Sequence, residues 1–125
     1  MPKRVITISG SRERFEYFHR RLNCAEIVSN KFYRRNTIWY PLVSYVNTII
    51  ALFISDNLEG IPTFVNRVIK AHDEITAHSN LAKDEGSEYL KMVGAYLCLV
   101  VEHLYERGLC DRQRVTSVKS WAEKS

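Results

Sequence analysis

The apolar residues of segment 41–107 recur at helical spacing, and this pattern constrains the fold more than any other feature of the chain. Segment 41–56 places its apolar residues on one side of a helix, across an arc of about 200° at 100° per residue. Segments 62–78 and 87–107 repeat the pattern, and Gly108 follows the last one where a left-handed cap belongs. Helices with arcs this wide must be largely covered by protein. We therefore predict at least three packed helices, with these side chains buried: Ile49, Phe53, Val68, Ile75, Leu97 and Val100.

The N-terminal third carries weaker signals. Residues 4–10 are rich in β-branched side chains and end at Gly10, which predicts a short strand or an extended arm. Ser11 is placed to cap a helix over residues 11–22. Residues 24–40 fit two strands around a polar turn as well as they fit a loop and a helical turn, and that choice stays open.

The end of the chain predicts one more short helix. Asp111 is placed to cap it, and Val115, Val118 and Trp121 recur at helical spacing. Together the segments predict a mainly α fold, a bundle of four to five helices with a short N-terminal strand or arm. An α+β fold with a small N-terminal sheet is the alternative. A chain of 125 residues has the length of one domain, so we expect residues 1–40, basic and rich in aromatics, to join the bundle of residues 41–125 in a single domain over 1–125.

Several classes of function lack their sequence signals. Five scattered glycines allow neither a P-loop nor a dinucleotide-binding fingerprint. The closest approach of a cysteine to a histidine, Cys98 to His103, does not have zinc spacing. The longest apolar run, 92–101, is about half of what a bilayer crossing needs. We therefore expect no cofactor, no metal and no membrane partner.

The cysteines and the N-terminus bear on location. Three cysteines are an odd number and fit a reducing compartment better than a disulfide framework. The apolar stretch 5–8 is too short for the core of a signal peptide. We expect an intracellular, cytoplasmic location, with the nucleus or a host cell left open.

Positive charge is concentrated at the start of the chain. Residues 1–40 contain nine lysines and arginines against three glutamates, a net charge of +6, whereas the remaining 85 residues contain nine basic against eleven acidic residues. Seven of the fourteen aromatic residues also lie in this N-terminal third. Arginines interleaved with aromatics are typical of nucleic-acid surfaces, because guanidinium groups bind phosphates and flat rings stack on bases. The alternative is a solvated outer face above a core of aromatics.

The candidate binding residues for nucleic acid or another anionic partner follow from this distribution. They are Arg12, Arg14, Arg20, Arg21, Lys31, Arg34, Arg35, Tyr33 and Trp39. If the ligand is RNA, we expect the arginine pairs 20–21 and 34–35 to contact phosphates and the rings of Tyr33 and Trp39 to stack on bases.

The histidines are the other candidates for chemically active residues. His19 lies at the edge of the basic helix, whereas His72 and His103 fall within apolar arcs, where a hydrogen-bonded core role is the common one. Glu74 and His78 are one helical turn apart, as a pair of metal ligands would be, but two ligands do not make a metal site.

The spacing of Arg67 and His72, with four residues between them, resembles the motif of the small HEPN ribonucleases, which are all-helical dimers. The resemblance is confined to residues 67–72. It implies that Arg67 binds the scissile phosphate and that His72 transfers a proton in 2′-hydroxyl chemistry. That family commonly has a polar residue after the arginine, where this chain has Val68. In a regular helix the two side chains point about 140° apart, so they would meet only across a dimer or a kink.

Self-association is expected from the width of the apolar arcs. Segments 41–56 and 87–107 both have wide apolar arcs that must be buried. A chain this small can surround only one helix fully, so an apolar patch remains on the other. A twofold dimer buries that patch. The expected seam lies on the long helix, where Gly94 allows close approach of backbones. Its contacts are Tyr89, Val93, Tyr96 and Val100. Alternatively, the patch binds a partner or is covered by residues 24–40.

The leading functional hypothesis is a small basic helical protein that binds nucleic acid, RNA rather than DNA, or an acidic protein surface through its N-terminal third. Its role would be that of a regulator or a subunit of a complex, and it would form a homodimer. A protein-interaction module or inhibitor, of the kind that viruses and phages use, is the first alternative. A HEPN-like ribonuclease using Arg67 and His72 is the second.

Overall fold

The structure is a computed structural model that describes the backbone of residues 2–23, 39–78 and 85–124, and the side chains of residues 12–23, 39–78 and 86–124. The described ranges contain five α-helices: α1 (Pro2–Asn23), α2 (Trp39–Ile54), α3 (Ile61–Thr76), α4 (Glu85–Glu106) and α5 (Arg112–Lys124). A turn of 3-10 helix, Leu58–Gly60, leads into α3. These ranges hold no strand, which confirms the mainly α bundle. The candidate strands within 24–38 lie outside the described residues.

The first helix is longer than the sequence predicts. Residues 4–10 belong to α1, so the expected strand or arm is wrong, and Ser11 lies inside the helix instead of capping it. Helix propensities differ by only about 0.3 to 1 kcal/mol per residue among the β-branched residues, Gly and Ala. A helix satisfies its backbone hydrogen bonds internally, whereas an isolated strand leaves them without partners. Pro2 fits the first turn, where its missing N–H costs no hydrogen bond.

Helices α2 and α3 form a hairpin. Asn57 donates its backbone N–H to the Leu52 carbonyl at 2.8 Å, and Asp56 adopts a left-handed conformation with φ of 59°. This closes α2 in the manner of a helix C-cap. Leu58 in the 3-10 turn is buried and continues the core between the two helices.

Helix α4 runs against α1 on one side and α5 on another. Gly108 follows the end of α4 and has φ of +76°, the left-handed conformation that the sequence predicted and that favours glycine. Asp111 Oδ1 accepts the backbone N–H of Arg114 at 2.9 Å, which confirms it as the cap of α5. A Cβ built on Gly94 would lie 3.6 Å from Cβ of Ala122, so this glycine faces α5 of the same chain.

The predicted core is confirmed apart from Phe53, which is only partly buried. The expected dimer seam is wrong, because Tyr89, Val93, Tyr96 and Val100 are at most 1% exposed within one chain. Helices α1 and α5 both pack against α4 and contribute to this cover. None of the described helices combines the length and the apolar composition that a bilayer crossing requires.

Candidate nucleic-acid interface

Helix α1 is fixed to the bundle by one apolar face. Phe15 and Leu22 are buried, and the Phe15 ring lies 4.2 Å from the ring of Phe53 in α2 and 6.3 Å from that of Tyr96 in α4, measured between centroids. Residues three, four and seven apart share a helix face. The opposite face of α1 is therefore held outward, towards solvent.

That outward face is basic. Arg12, Arg14, Arg20 and Arg21 are all exposed, as a binding role requires. Helix α1 contains six lysines and arginines against two glutamates, a net charge of +4. This equals the net charge of the whole chain, so the basic and acidic residues outside α1 balance each other in number.

The four arginines fall into two stripes. Arg14, Tyr17 and Arg21 lie within about 60° of each other around the helix, and we call them the arginine–tyrosine stripe. Arg12, Glu16 and Arg20 follow each other at four-residue intervals on the other side of α1. We call these the mixed-charge stripe. Glu16 lies between the two arginines of the mixed-charge stripe, and Glu13 lies one turn before Tyr17, at the edge of the arginine–tyrosine stripe.

The arginine–tyrosine stripe has the geometry of a stacking platform. The Arg21 guanidinium carbon lies 5.3 Å from the Tyr17 ring centroid, a cation–π distance, and the Tyr17 ring meets that of Phe18 edge-on at 5.5 Å. Tyr17 nevertheless remains 55% exposed. Arg21 also lies in the last turn of α1, where its charge stabilises the negative end of the helix dipole. The stripe thus presents an exposed ring in contact with one guanidinium, that of Arg21, with the exposed Arg14 three residues before the ring.

The other predicted binding residues lie between positions 31 and 39 of the sequence. Lys31, Tyr33, Arg34 and Arg35 lie outside the described residues. Trp39 is fully buried, with its ring 6.4 Å from that of Tyr89, so the expectation that it stacks on a base is wrong. Trp39 is the first residue of α2 and shares a face with the buried Leu42, Val43 and Val46.

Tyr17 is the binding candidate that the sequence analysis missed. The signal was present, since Arg14, Tyr17 and Arg21 occupy positions i, i+3 and i+7 of the segment predicted as helix 11–22. The apolar face of that segment was assigned to Phe15, Phe18 and Leu22. Tyr17 therefore had to point away from the core.

A histidine–aromatic cluster lies beneath α1. His19 Nε2 and the Tyr96 hydroxyl are hydrogen-bonded at 2.7 Å, which ties α1 to α4. His103 packs on the rings of Phe15 and Phe53, at 5.5 and 5.1 Å between centroids. Burial lowers the pKa of both histidines and raises that of Tyr96, although Glu16 opposes the shift at His19. These groups therefore stay neutral near pH 7 and serve packing.

The fold does not bring Arg67 and His72 together. The exposed Arg67 guanidinium lies over the rings of Phe64 and Tyr45, at 5.0 and 5.8 Å from the centroids. His72 is fully buried, its Nε2 bonded to the Leu90 carbonyl at 3.0 Å. A histidine in this position cannot reach a 2′-hydroxyl on the surface. The arrangement within one chain therefore gives the ribonuclease hypothesis no support.

Glu74 and His78 are joined by a local hydrogen bond. Nδ1 of His78 lies 2.8 Å from the backbone carbonyl of Glu74, an ordinary contact within the last turn of a helix. Within residues 12–23, 39–78 and 86–124, no three potential metal ligands converge.

Burial of His72 predicts a pH-dependent stability. Burial lowers its pKa, while the Leu90 carbonyl and the charge of Asp73 oppose the shift. Below the ordinary histidine pKa of 6.5, the unfolded chain takes up a proton that the folded chain does not. Stability that is complete above pH 6.5 is therefore lost as the pH falls, and His19 and His103 act in the same direction.

Urea unfolding at pH 7.5 and pH 5.5 measures this loss. We expect a lower midpoint at pH 5.5 for the wild-type chain. His72→Gln keeps a donor near the Leu90 carbonyl but cannot take up a proton, so its midpoint should change less between the two pH values. An equal change in both proteins would show that His72 does not contribute.

Protein-family models, curated proteins and solved structures were compared with this chain without a match.

Proposed function

We propose that this protein binds single-stranded RNA through the arginine–tyrosine stripe of α1. The observation that carries the proposal is the exposed Tyr17 ring with the Arg21 guanidinium over it, on the same side of α1 as the exposed Arg14. Guanidinium groups bind phosphates in a bidentate manner, and an exposed ring stacks on an unpaired base. Bases are unpaired and accessible chiefly in single strands, loops and bulges, and proteins recognise RNA mainly at such sites.

The wider α1 surface supports the same function. Arg12 and Arg20 are exposed within one turn of the stripe residues, so a strand that crosses α1 meets further cations. Long-range attraction by a helix with a net charge of +4 raises the rate at which a polyanion is captured. In this proposal the arginines bind phosphates and Tyr17 stacks on a base. A role as an RNA-binding regulator or as a subunit of a ribonucleoprotein complex fits such a surface.

We further propose a cytoplasmic homodimer. The free thiols of Cys98 and Cys110 are compatible with a reducing compartment, and burial raises the pKa of both, which keeps them in the unreactive thiol form. The dimer cannot use Tyr89, Val93, Tyr96 and Val100 of α4, since these are covered within one chain. A different surface must form it.

Fluorescence anisotropy with a labelled 12-nucleotide RNA tests the binding proposal. Counterion release predicts that the logarithm of the affinity falls with the logarithm of salt concentration, with a slope of about −1.4 for two phosphate contacts and about −2.8 for four. We expect a slope in this range. Duplex RNA of equal length should bind more weakly, because its bases cannot stack on Tyr17.

An acidic polypeptide such as polyglutamate is the discriminating competitor. If it binds as tightly as the RNA at the same charge density, the surface is one for acidic proteins and the RNA proposal fails. A salt-independent affinity would also overturn it. Gel analysis of the RNA after incubation shows whether any cleavage has occurred, which would restore the ribonuclease hypothesis.

A further inference from the structure

Helix α2 differs from every other described helix in carrying no charged residue. Segment 39–55 is free of Lys, Arg, Asp and Glu over 17 positions, yet one side of this helix is on the surface. Tyr40 is 58% exposed and Ile54 is 71% exposed, at opposite ends of that side. Depletion of charge together with exposed aromatic and aliphatic side chains is typical of protein–protein interfaces. We call the exposed side of α2, defined by Tyr40, Ser44, Asn47, Ala51 and Ile54, the uncharged face.

The hydroxyl groups next to this face already have hydrogen-bond partners within the helix. The Thr48 hydroxyl donates to the Ser44 carbonyl at 2.9 Å, and the Ser55 hydroxyl donates to the Leu52 carbonyl at 3.3 Å. Both hydroxyls are therefore satisfied within their own helix. Covering them with protein costs little, because no hydrogen bond is left unmade.

Asn47, at the centre of the face, is different. Its Oδ1 atom is buried and has no hydrogen-bond partner among the described residues, while the residue as a whole is partly exposed. A buried amide oxygen without a donor is unfavourable, because it has lost its hydrogen bond to water. Asn47 is thus a polar residue of the face whose hydrogen bonds the described residues do not complete.

The spacing of the uncharged face is symmetric about Asn47. Its members follow each other at intervals of four, three, four and three residues, so the pattern nearly repeats itself when the helix direction is reversed. A twofold axis beside Asn47 then sets Tyr40 opposite Ile54 of a second copy and Ser44 opposite Ala51. Asn47 meets Asn47. Large side chains flank small ones, and the small pair allows the helix axes to approach closely.

We propose that the uncharged face of α2 is a self-association surface on which two copies of this chain pair as antiparallel helices about Asn47. The proposal rests on the dimer proposed above and is independent of RNA binding. Self-complementarity under reversal is what a twofold interface requires. Two copies, each with a net charge of +4, repel one another elsewhere but meet here without bringing like charges together. The paired Asn47 amides fix the register, as a single buried asparagine does in coiled coils.

The size of the surface sets the expected affinity. Helix α2 has 16 residues and a length of about 24 Å, which places the contact at the low end of interface sizes. We expect a dissociation constant of about 1 to 100 µM. Analytical ultracentrifugation of the full chain between 2 and 300 µM, without RNA, measures it. Because the face is uncharged, raising NaCl from 50 to 500 mM should not weaken the dimer.

Ala51→Glu is the decisive variant and Ala95→Glu is its matched control. Both alanines are exposed residues of a helix, on α2 and α4 respectively, so each change adds one surface charge. We expect Ala51→Glu to raise the dissociation constant at least tenfold and Ala95→Glu to change it by less than threefold. Circular dichroism verifies the fold, and Ile54→Ser, which adds no charge to an exposed site, should weaken the dimer in the same direction.

A second substitution tests the antiparallel register. Combining Ser44→Lys with Ala51→Glu places opposite charges across the proposed twofold axis, so the double variant should regain at least part of the affinity that Ala51→Glu loses. In a parallel pair the like charges would face each other, and the double variant would stay weak. That result would overturn the register.

The remaining outcomes separate the two proposals. A chain that stays monomeric at 300 µM overturns both the dimer and this surface, whatever else covers α2. A dimer that tolerates Ala51→Glu as well as Ala95→Glu leaves self-association standing but overturns its assignment to α2. RNA binding is measured separately at 1 µM chain and is not decided by any of these results.

Discussion

Replacing Arg14 and Arg21 together with glutamate is expected to weaken binding to single-stranded RNA by at least about 100-fold. Each arginine loses a charge-assisted contact of about 1.5 to 3 kcal/mol, and the introduced carboxylates repel phosphate. The salt slope should become less steep by about 1.4, which corresponds to two phosphate contacts. Both side chains are exposed, so the helical circular dichroism spectrum and the urea midpoint should change little.

The mixed-charge stripe provides the matched control. Arg12→Glu with Arg20→Glu changes the net charge by the same amount on the same helix, but it alters a stripe that contains Glu16 and lacks the Tyr17 ring. We expect the RNA affinity to fall about ten times less with this pair than with the Arg14 and Arg21 pair. Equal losses would mean that only total charge matters and would remove the special role of the arginine–tyrosine stripe.

Tyr17 separates stacking from charge within the same assay. Tyr17→Ala should weaken binding by about 1 to 3 kcal/mol, the usual effect of losing one base–aromatic stack, without a change in salt slope. Tyr17→Phe keeps the ring and should bind nearly as well as the wild type. If Tyr17→Ala binds normally, phosphate contacts alone account for the affinity.

Leu97→Ala is expected to lower the free energy of unfolding by about 2 to 4 kcal/mol. Leu97 is fully buried in α4, the helix that contacts both α1 and α5. Truncation therefore leaves a cavity inside the bundle. A domain of this length has about 5 to 15 kcal/mol of stability in total, which makes the loss a substantial fraction. Urea unfolding at pH 7.5 measures it.

Leu99→Ala is the control for the core prediction. Leu99 lies two residues further along the same helix and is only partly buried, so the same truncation removes less contact. We expect a loss of about 1 kcal/mol or less, because the missing atoms are partly replaced by water. Equal losses at the two positions would contradict the assignment of Leu97 to the centre of the bundle.

The sequence predicted those elements whose apolar periodicity was strong. Helices α2, α3 and α4 follow their apolar stripes to within two or three residues at each end, and the cap at Asp111 and the left-handed Gly108 were legible from residue type. The first half of α1 was not predictable in this way. Its β-branched residues favour a strand locally, and only the helix's internally satisfied hydrogen bonds and its tertiary context decide otherwise.

The candidate site divides in the same manner. The exposure of Arg12, Arg14, Arg20 and Arg21 follows from the helical period of α1, and Tyr17 could have been found by the same rule. The position of Trp39 could not, because it depends on where α2 begins, and element boundaries are poorly defined by sequence. The proposed self-association surface on α2 could not be found from the sequence either, since its exposure depends on which helices the remainder of the chain covers.

The basic residues of α1 and the uncharged face of α2 lie on different helices that touch through the rings of Phe15 and Phe53. A self-associated pair would consequently present two RNA-binding stripes. An RNA long enough to reach both would bind the second stripe at an effective concentration set by its own length, of millimolar order for short flexible segments. Avidity would then favour long, unstructured transcripts over short oligonucleotides of identical sequence, so that length selection emerges from two weak surfaces without any base-specific contact.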